Sequence, residues 1–393
     1  MSGRVGDLSE TQKIKLDEFR KNCADLLRAN HDDYYCLRWL RARSFDVAKA
    51  ETMFRTHMDF REKWKMDTIR EDFDDPEVIL KYFPGGLVGQ DKDGSPVLID
   101  PMGNIDAKGL LRCVKGKDIL RSRMKFMEKY YEEVLPELSE KAGKRIEGMV
   151  YIADLEKLGT RHLWKPAADL IIQYCKLAEA NFPETMKTIF IVRSPKIFPV
   201  CYKILKPFLD PETRDKIKVL GYNFKEELLK QIPAESLPEH WGGTMKDPDG
   251  NPMCPSKVCL GGEVPKSYYS QDIIVPDEAN LVKTSVKFGS KLDIDFDVKL
   301  PGSILRYIFN SSDSLQFGVF YKNAGKGKDE EVLPLDKHNS HLVFEDGSVP
   351  CEKAGTYIVR FDNTHHKLSS TSLSYIIEVL EPESQNGNLN SPK

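Results

Sequence analysis

Met149-Val150-Tyr151-Ile152-Ala153 is an apolar run too short for a helix and too continuous for a strand with one wet face. Runs of this kind are strands buried on both sides, as in a parallel or mixed sheet covered by helices. Outward from it, Val97 to Ile99, Ile189 to Val192 and Ile217 to Leu220 repeat the pattern. Between them Asp118 to Leu135, Leu163 to Asn181 and Ile197 to Leu209 have helical length and period. The stretch from Pro96 to about Gln231 therefore reads as an α/β domain.

Upstream the pattern is helical. Ser9 is placed to cap a helix from Glu10, with Leu16, Phe19, Cys23, Leu26 and Leu27 at helical spacing, and Asp32 to Arg43 and Val47 to Phe60 continue the pattern. Downstream, Gly242-Gly243 precedes a Pro-, Gly- and Asp-rich stretch that reads as a linker. Beyond it the period becomes two, as in Leu292, Ile294, Phe296, Val298 and Leu300, the mark of a half-buried antiparallel sandwich. The expected organisation is multidomain: a helical region over 1–75, an α/β domain over 76–245, a linker over 246–274, a β-sandwich over 275–381 and a disordered tail over 382–393. A chain of 393 residues fits this division, since single cores stop growing near ~250–300 residues.

With 40% hydrophobic and 30% charged residues the composition is globular; the net charge of −3 says nothing about partners, and no nucleic-acid partner is expected. The first ten residues are polar and no run of ~18 uncharged apolar residues occurs, so neither signal peptide nor spanning helix is expected. Cytoplasmic location with transient, peripheral membrane contact follows. The eight cysteines are scattered, and Cys254 with Cys259 lacks a second pair that would complete a zinc site. Asp247, Asp249 and Asn251 begin like a calcium loop, but Pro252 and Val258 stand where the loop needs Gly and Glu. The strand ends carry no phosphate cradle and no nucleophile elbow, and Gly85, Gly86 and Gly89 read as a bend. The expectation is no catalysis, no cofactor and no metal.

What remains suits a lipid. From Lys187 to Lys218 eight basic residues face three acidic ones, a local surplus of five in an acidic chain. Within this stripe Ile197, Cys201, Ile204, Leu205 and Phe208 share one helical face, and Phe198, Tyr202 and Leu209 add a second apolar face. So broad an apolar surface marks either a buried core helix or one that touches two apolar phases, a pocket and a bilayer.

Leu37 to Asp46, Asn181-Phe182-Pro183-Glu184, Lys206-Pro207-Phe208-Leu209 and Leu237 to Thr244 together resemble the signature stretches of CRAL-TRIO lipid-transfer proteins. Tyr357 to Asn363 resembles part of a GOLD domain, so the sandwich is expected to be GOLD-like and jelly-roll-like. The resemblance implies non-catalytic binding and transfer of one hydrophobic lipid of the tocopherol, squalene or phosphatidylinositol class. It implies a gate helix made of Ile197, Phe198, Val200, Cys201, Ile204, Leu205 and Phe208, and a pocket bordered by Tyr151, Ala153, Tyr174, Ala178 and Phe182. Arg43, Glu184, Thr213 and Lys216 match head-group residues of phosphatidylinositol-transfer relatives. Lys196, Lys203, Lys206, Arg214 and Lys218 would face the membrane. Met149 and Tyr151 stand where those relatives place small hydroxyl residues against phosphatidylcholine, which favours a greasier cargo. An adaptor role, with the GOLD domain recruiting a protein partner, is the alternative.

Overall fold

The computed structural model describes residues 2–221, 223–270, 281–323, 327–338, 340, 345–365 and 370–383. Three helices open the chain: α1 (Glu10–Asn22), α2 (Asp33–Arg41) and α3 (Val47–Trp64). Ser9 caps α1 in a reciprocal capping box with Gln12, and Asp32 and Asp46 cap the next two through side-chain oxygens. Their apolar faces meet at Phe19, Trp39 and Phe54, all wholly buried. Two short helices, α4 (Ile69–Asp72) and α5 (Glu77–Tyr82), lead into the sheet.

The sheet runs in the order β1 (Gly86–Gln90), β2 (Pro96–Asp100), β3 (Met149–Asp154), β4 (Met186–Val192) and β5 (Ile217–Val219). β2 to β5 are parallel and β1 is an antiparallel edge. This corrects the reading of Gly85, Gly86 and Gly89 as a plain bend. The register slips between Leu87 and Gly89, where a side chain would strike the Ser236 backbone, so glycine lets a bulged edge strand pass the neighbouring loop.

The helices of this domain are α6 (Ala107–Cys113), α7 (Gly116–Lys129), α8 (Leu135–Ala142), α9 (Lys165–Asn181), α10 (Phe198–Leu205), α11 (Pro211–Asp215) and α12 (Phe224–Gln231). Val97, Ile99, Val150, Ile152 and Phe190 pack one sheet face on α12 and the wholly buried Trp241. By strand alternation Leu98, Asp100, Tyr151, Ala153, Ile189 and Ile191 point the other way, toward α7, α9 and α10. Asp154 closes β3 by accepting from Trp241 Nε1 at 2.9 Å and Arg193 Nε at 3.0 Å, which ties the Leu237–Thr244 stretch to the sheet.

Residues 246–270 are not a free linker. Val258 enters the core behind the sheet, Val264 the core beside α5 and α6, and Cys259 bridges to Gly85. Their Pro- and Gly-rich composition excludes regular elements but leaves these apolar anchors to hold the segment down. The sandwich follows with β6 (Val282–Val286), β7 (Lys291–Val298), β8 (Ser303–Ser311), β9 (Leu315–Tyr321), β10 (Glu330–His338), β11 (Glu345–Cys351), β12 (Gly355–Asp362) and β13 (Thr371–Leu380). The two antiparallel sheets, β10-β9-β12-β7 and β11-β8-β13-β6, enclose Phe309, Phe317 and Phe361. The expected start of this domain at 275 and most of the expected tail, 384–393, lie outside the described residues.

Candidate functional site

On the second sheet face Tyr151 lies beside Tyr174 and Cys175 of α9. Tyr174 and Cys175 of α9 and Cys201 of α10 are each only partly covered, yet burial pushes all three up to about 12. Burial likewise raises the Tyr151 hydroxyl far above its ordinary value. Partly exposed groups whose ionisation burial opposes border incompletely filled space. Tyr151 and Ala153 form its floor, and Tyr174 and Ala178 lie along α9. Phe182, expected in the same lining, packs in one cluster with Tyr174. It lies in the cluster of Phe60, Met124 and Met127, stacked on Tyr131 at 5.8 Å, because α9 ends one residue earlier and turns it under α3.

The segment expected to roof the chamber is α10 followed by a 3-10 turn, Lys206–Phe208. Phe198 and Tyr202 pack inward on Ala153, Ile189 and Ile191. The wholly buried Val200, flanked by Ile197, Cys201 and Ile204, packs outward on Ile304 of β8 and Leu380 of β13. Lys203 pairs with Glu381 at 2.9 Å, Lys206 pairs with Glu383, and the Glu383 amide donates to Pro199 O at 3.2 Å. These contacts correct two expectations. Lys203 and Lys206 face the sandwich rather than a membrane, because acidic side chains after β13 compete for them. Residues 382–383, assigned to a disordered tail, are part of that contact. The sandwich also holds the turn before α9, where Arg306 Nη1 donates to Leu163 O at 2.6 Å, and α6, where Lys108 pairs with Asp346.

Of the other basic residues expected at a membrane, Lys196 and Lys218 are exposed and Arg214 is half-buried. Lys218 lies over Phe190, on the sheet face away from the chamber. The basic stripe is therefore split among three surroundings, since a linear charge count does not record which way each element turns.

The expected head-group residues form a network. Glu184 accepts from Lys216 Nζ at 3.3 Å and Arg41 Nε at 3.2 Å, and Arg41 reaches Glu147 at 3.2 Å. Arg43 pairs with Asp210 at 3.2 Å, and Thr213 donates to Glu179 at 3.1 Å. Glu184 adopts φ +62°, a strained left-handed backbone for a non-glycine residue, which aims its carboxylate between the two cations. Burial opposes its ionisation, but a hydrogen bond with Glu212 and the charges of Lys216 and Arg41 hold its carboxyl well below the usual range. That hydrogen bond, burial and the Glu184 charge push Glu212 the other way, up to about 7. Arg41 was missed from sequence, where it sits beside Arg43 with nothing to distinguish it; its side chain is only 7% exposed.

Among the described residues no group of three or more side chains suited to holding a metal occurs, and no helix is long and apolar enough to cross a membrane.

Residues 80–243 match the CRAL/TRIO domain and residues 9–56 the CRAL/TRIO N-terminal domain. The protein real-time of Aedes aegypti is 30% identical over 426 aligned residues, covering 98% of this chain and 64% of that relative. The phosphatidylinositol/phosphatidylcholine transfer protein SFH4 of Arabidopsis thaliana is 37% identical over 244 residues, 61% of this chain and 40% of the relative. The chain thus spans less than two thirds of the length of either relative. The crystal structure of Sfh5 aligns with a TM-score of 0.48 at 16% identity, covering 68% of this chain and 93% of that one.

Proposed function

Through residues 9–56 and 80–243 the chain belongs to the CRAL/TRIO family, and on that premise we propose that it carries one hydrophobic lipid between membranes in the chamber under α10. The observation that carries this reading is the pair of partly exposed but desolvated groups on α9, Tyr174 and Cys175, beside the desolvated Tyr151 of β3. A lipid tail gains ~0.8 kcal/mol per buried CH₂, comparable to what it leaves in a bilayer, so cargo is held against water and exchanged at membranes. The reading assigns no chemical step to the protein.

Exchange requires α10 to move. Its outer face is covered by β8 and β13, so the sandwich has to release before the gate swings. An anionic bilayer competes for Lys203 and Lys206 against Glu381 and Glu383, at roughly 1 kcal/mol per lysine near the surface. The same contact supports a second reading, in which gate opening frees β13 for a protein partner and the lipid is the signal.

Ala178→Trp, which fills the chamber, tests the first reading in a vesicle-to-vesicle transfer assay with a fluorescent lipid. Transfer should fall to background while circular dichroism is unchanged. Undiminished transfer by the folded variant would reject the chamber as the carrier site.

A further inference from the structure

A separate cleft lies where α2 and the loop before it meet α7, α8 and the end of α9. It has a volume of about 200 Å³ and opens to solvent between Arg28, Glu132 and Arg145, all exposed. None of Arg43, Glu184, Thr213 and Lys216 lines it. Its inner wall carries Arg38 of α2, only 7% exposed. Arg38 Nε donates to Pro183 O at 3.2 Å, and the guanidinium lies 4.0 Å above the Tyr131 ring and 5.5 Å from that of Tyr35. Among the described residues no carboxylate pairs with Arg38 and neither of its Nη groups has a hydrogen-bond partner. The other cations of the cleft are answered, Arg28 by Asp67, Arg61 by Glu128 and Arg145 by Asp32. Two more donors surround the same Tyr35 ring. His31 stacks on it at 3.9 Å, and because its Nδ1 accepts from the Arg28 amide at 3.1 Å, the ring proton sits on Nε2. Burial and the Arg28 charge lower His31 to about 4, so at neutral pH it is an uncharged donor. The Trp39 ring stands 6.0 Å from Tyr35, and its buried Nε1 has no partner.

An arginine stays charged in a protein, and a buried charge is costly unless it is paired. Stacking on an aromatic ring returns about 2 kcal/mol, and the Pro183 carbonyl uses one of five N–H groups. The outer fork of Arg38 is left open, and such a fork fits two oxygens of a phosphate or carboxylate. A neutral ligand would leave the charge unanswered. The volume lies below the ~300–1,000 Å³ of drug-sized ligand sites, so the occupant is small. We infer that this cleft binds a small soluble oxyanion, a phosphate or carboxylate, held on the two Nη groups of Arg38 with His31 Nε2 as a further donor. Glu132 at the mouth opposes entry of the anion and so limits its affinity.

The test is isothermal titration calorimetry of the full chain with inorganic phosphate, glycerol 1-phosphate and acetate, in a buffer free of other oxyanions. Wild type should bind one equivalent of at least one probe, saturably, at millimolar concentration or below. Arg38→Gln should weaken that binding by about tenfold to a hundredfold, the range for hydrogen bonds to a charged group. Glu132→Lys, on an exposed side chain, should strengthen it severalfold, and it decides the matter if Arg38→Gln does not fold. No saturable binding by wild type would overturn the site, with water then the partner of Arg38. Unchanged affinity in folded Arg38→Gln, or in Glu132→Lys, would overturn it too. Binding lost in Lys216→Ala but kept in Arg38→Gln would place the anion at the Glu184 network instead. Binding to vesicles of phosphatidic acid with none of the three soluble probes would replace the soluble ligand by a lipid head and likewise reject the inference. The lipid-carrier reading stands or falls separately.

Discussion

Glu184 and Asp100 border the same α/β domain, both with little exposed surface, and they are treated in opposite ways. Around Glu184 the cations are answered: Arg41 and Lys216 bind it, and Glu147, Asp210 and Glu179 take the neighbouring donors. Around Asp100 only Tyr151 reaches the carboxylate, and Asp100 Oδ1 and Arg123 Nε have no hydrogen-bond partner. A closed network holds structure together whether or not a ligand arrives. An open one costs stability until something fills it, which is the usual signature of a site kept for function.

The difference is measurable as a change of sign. Glu184→Ala leaves the buried Arg41 with Glu147 alone and the partly buried Lys216 without its carboxylate, and should destabilise the domain by up to roughly 3 kcal/mol. Denaturation followed by tryptophan fluorescence reports this directly, because Trp39, Trp64, Trp164 and Trp241 all precede the sandwich. A loss below about 1 kcal/mol, the range of exposed pairs, would mean that the network is not closed.

Asp100→Asn should do the reverse in the lipid-free protein. Burial raises the Asp100 carboxyl to about 6, against the partial relief given by Arg123 of α7 and Tyr151 of β3. The folded state thus binds the proton more tightly than the unfolded one. Stability contributed by Asp100 is full below pH ~4 and is lost as pH rises through about 6. Above that pH the amide should stabilise by up to roughly 2–3 kcal/mol, and below pH 4 it should have little effect. Destabilisation at pH 8 would show that Asp100 is a structural residue after all.

Smaller effects are expected where the gate meets the sandwich. Reversing Lys203 and Lys206 to Glu sets like charges against Glu381 and Glu383 in half-exposed pairs, each worth about 1 kcal/mol or less. Transfer from neutral vesicles should then rise severalfold, and adding Glu381→Lys should bring it back toward wild type. Unchanged transfer would remove the sandwich from control of the gate.

The smallest effect is a pH dependence at the closed network. Glu212 is raised to about 7 mainly by its hydrogen bond to Glu184, with Arg41 and Lys216 opposing. Its contribution is present at pH 5 and lost as pH climbs through about 7, so the melting temperature should fall slightly from pH 6 to 8. Glu212→Gln should flatten that slope, and an unaltered slope would assign it to another group.

The residues differ in how far the sequence could announce them. β2 to β5 were legible because strands buried on both faces leave unbroken apolar runs, whereas β1 was hidden by the glycines that let it bulge. The gate was legible as an apolar helix with two faces, but one face was assigned to a bilayer and is covered by Ile304 and Leu380, over a hundred residues downstream. Glu381 and Glu383 looked like the start of a polar tail, since nothing local says that a carboxylate will meet a lysine on a distant helix. Asp100 looked like an ordinary strand end. Only the absence of a partner for its Oδ1, which exists in three dimensions and not in the chain, distinguishes it.

The central claim is that one lipid occupies the chamber. Native mass spectrometry of the full chain, re-isolated from vesicles containing phosphatidylinositol, phosphatidylcholine, tocopherol and squalene, tests it most directly. The expected spectrum shows each loaded chain heavier by the mass of one lipid. A spectrum of bare chain alone, for wild type and for the gate-loosened Lys203→Glu, Lys206→Glu variant alike, would contradict it.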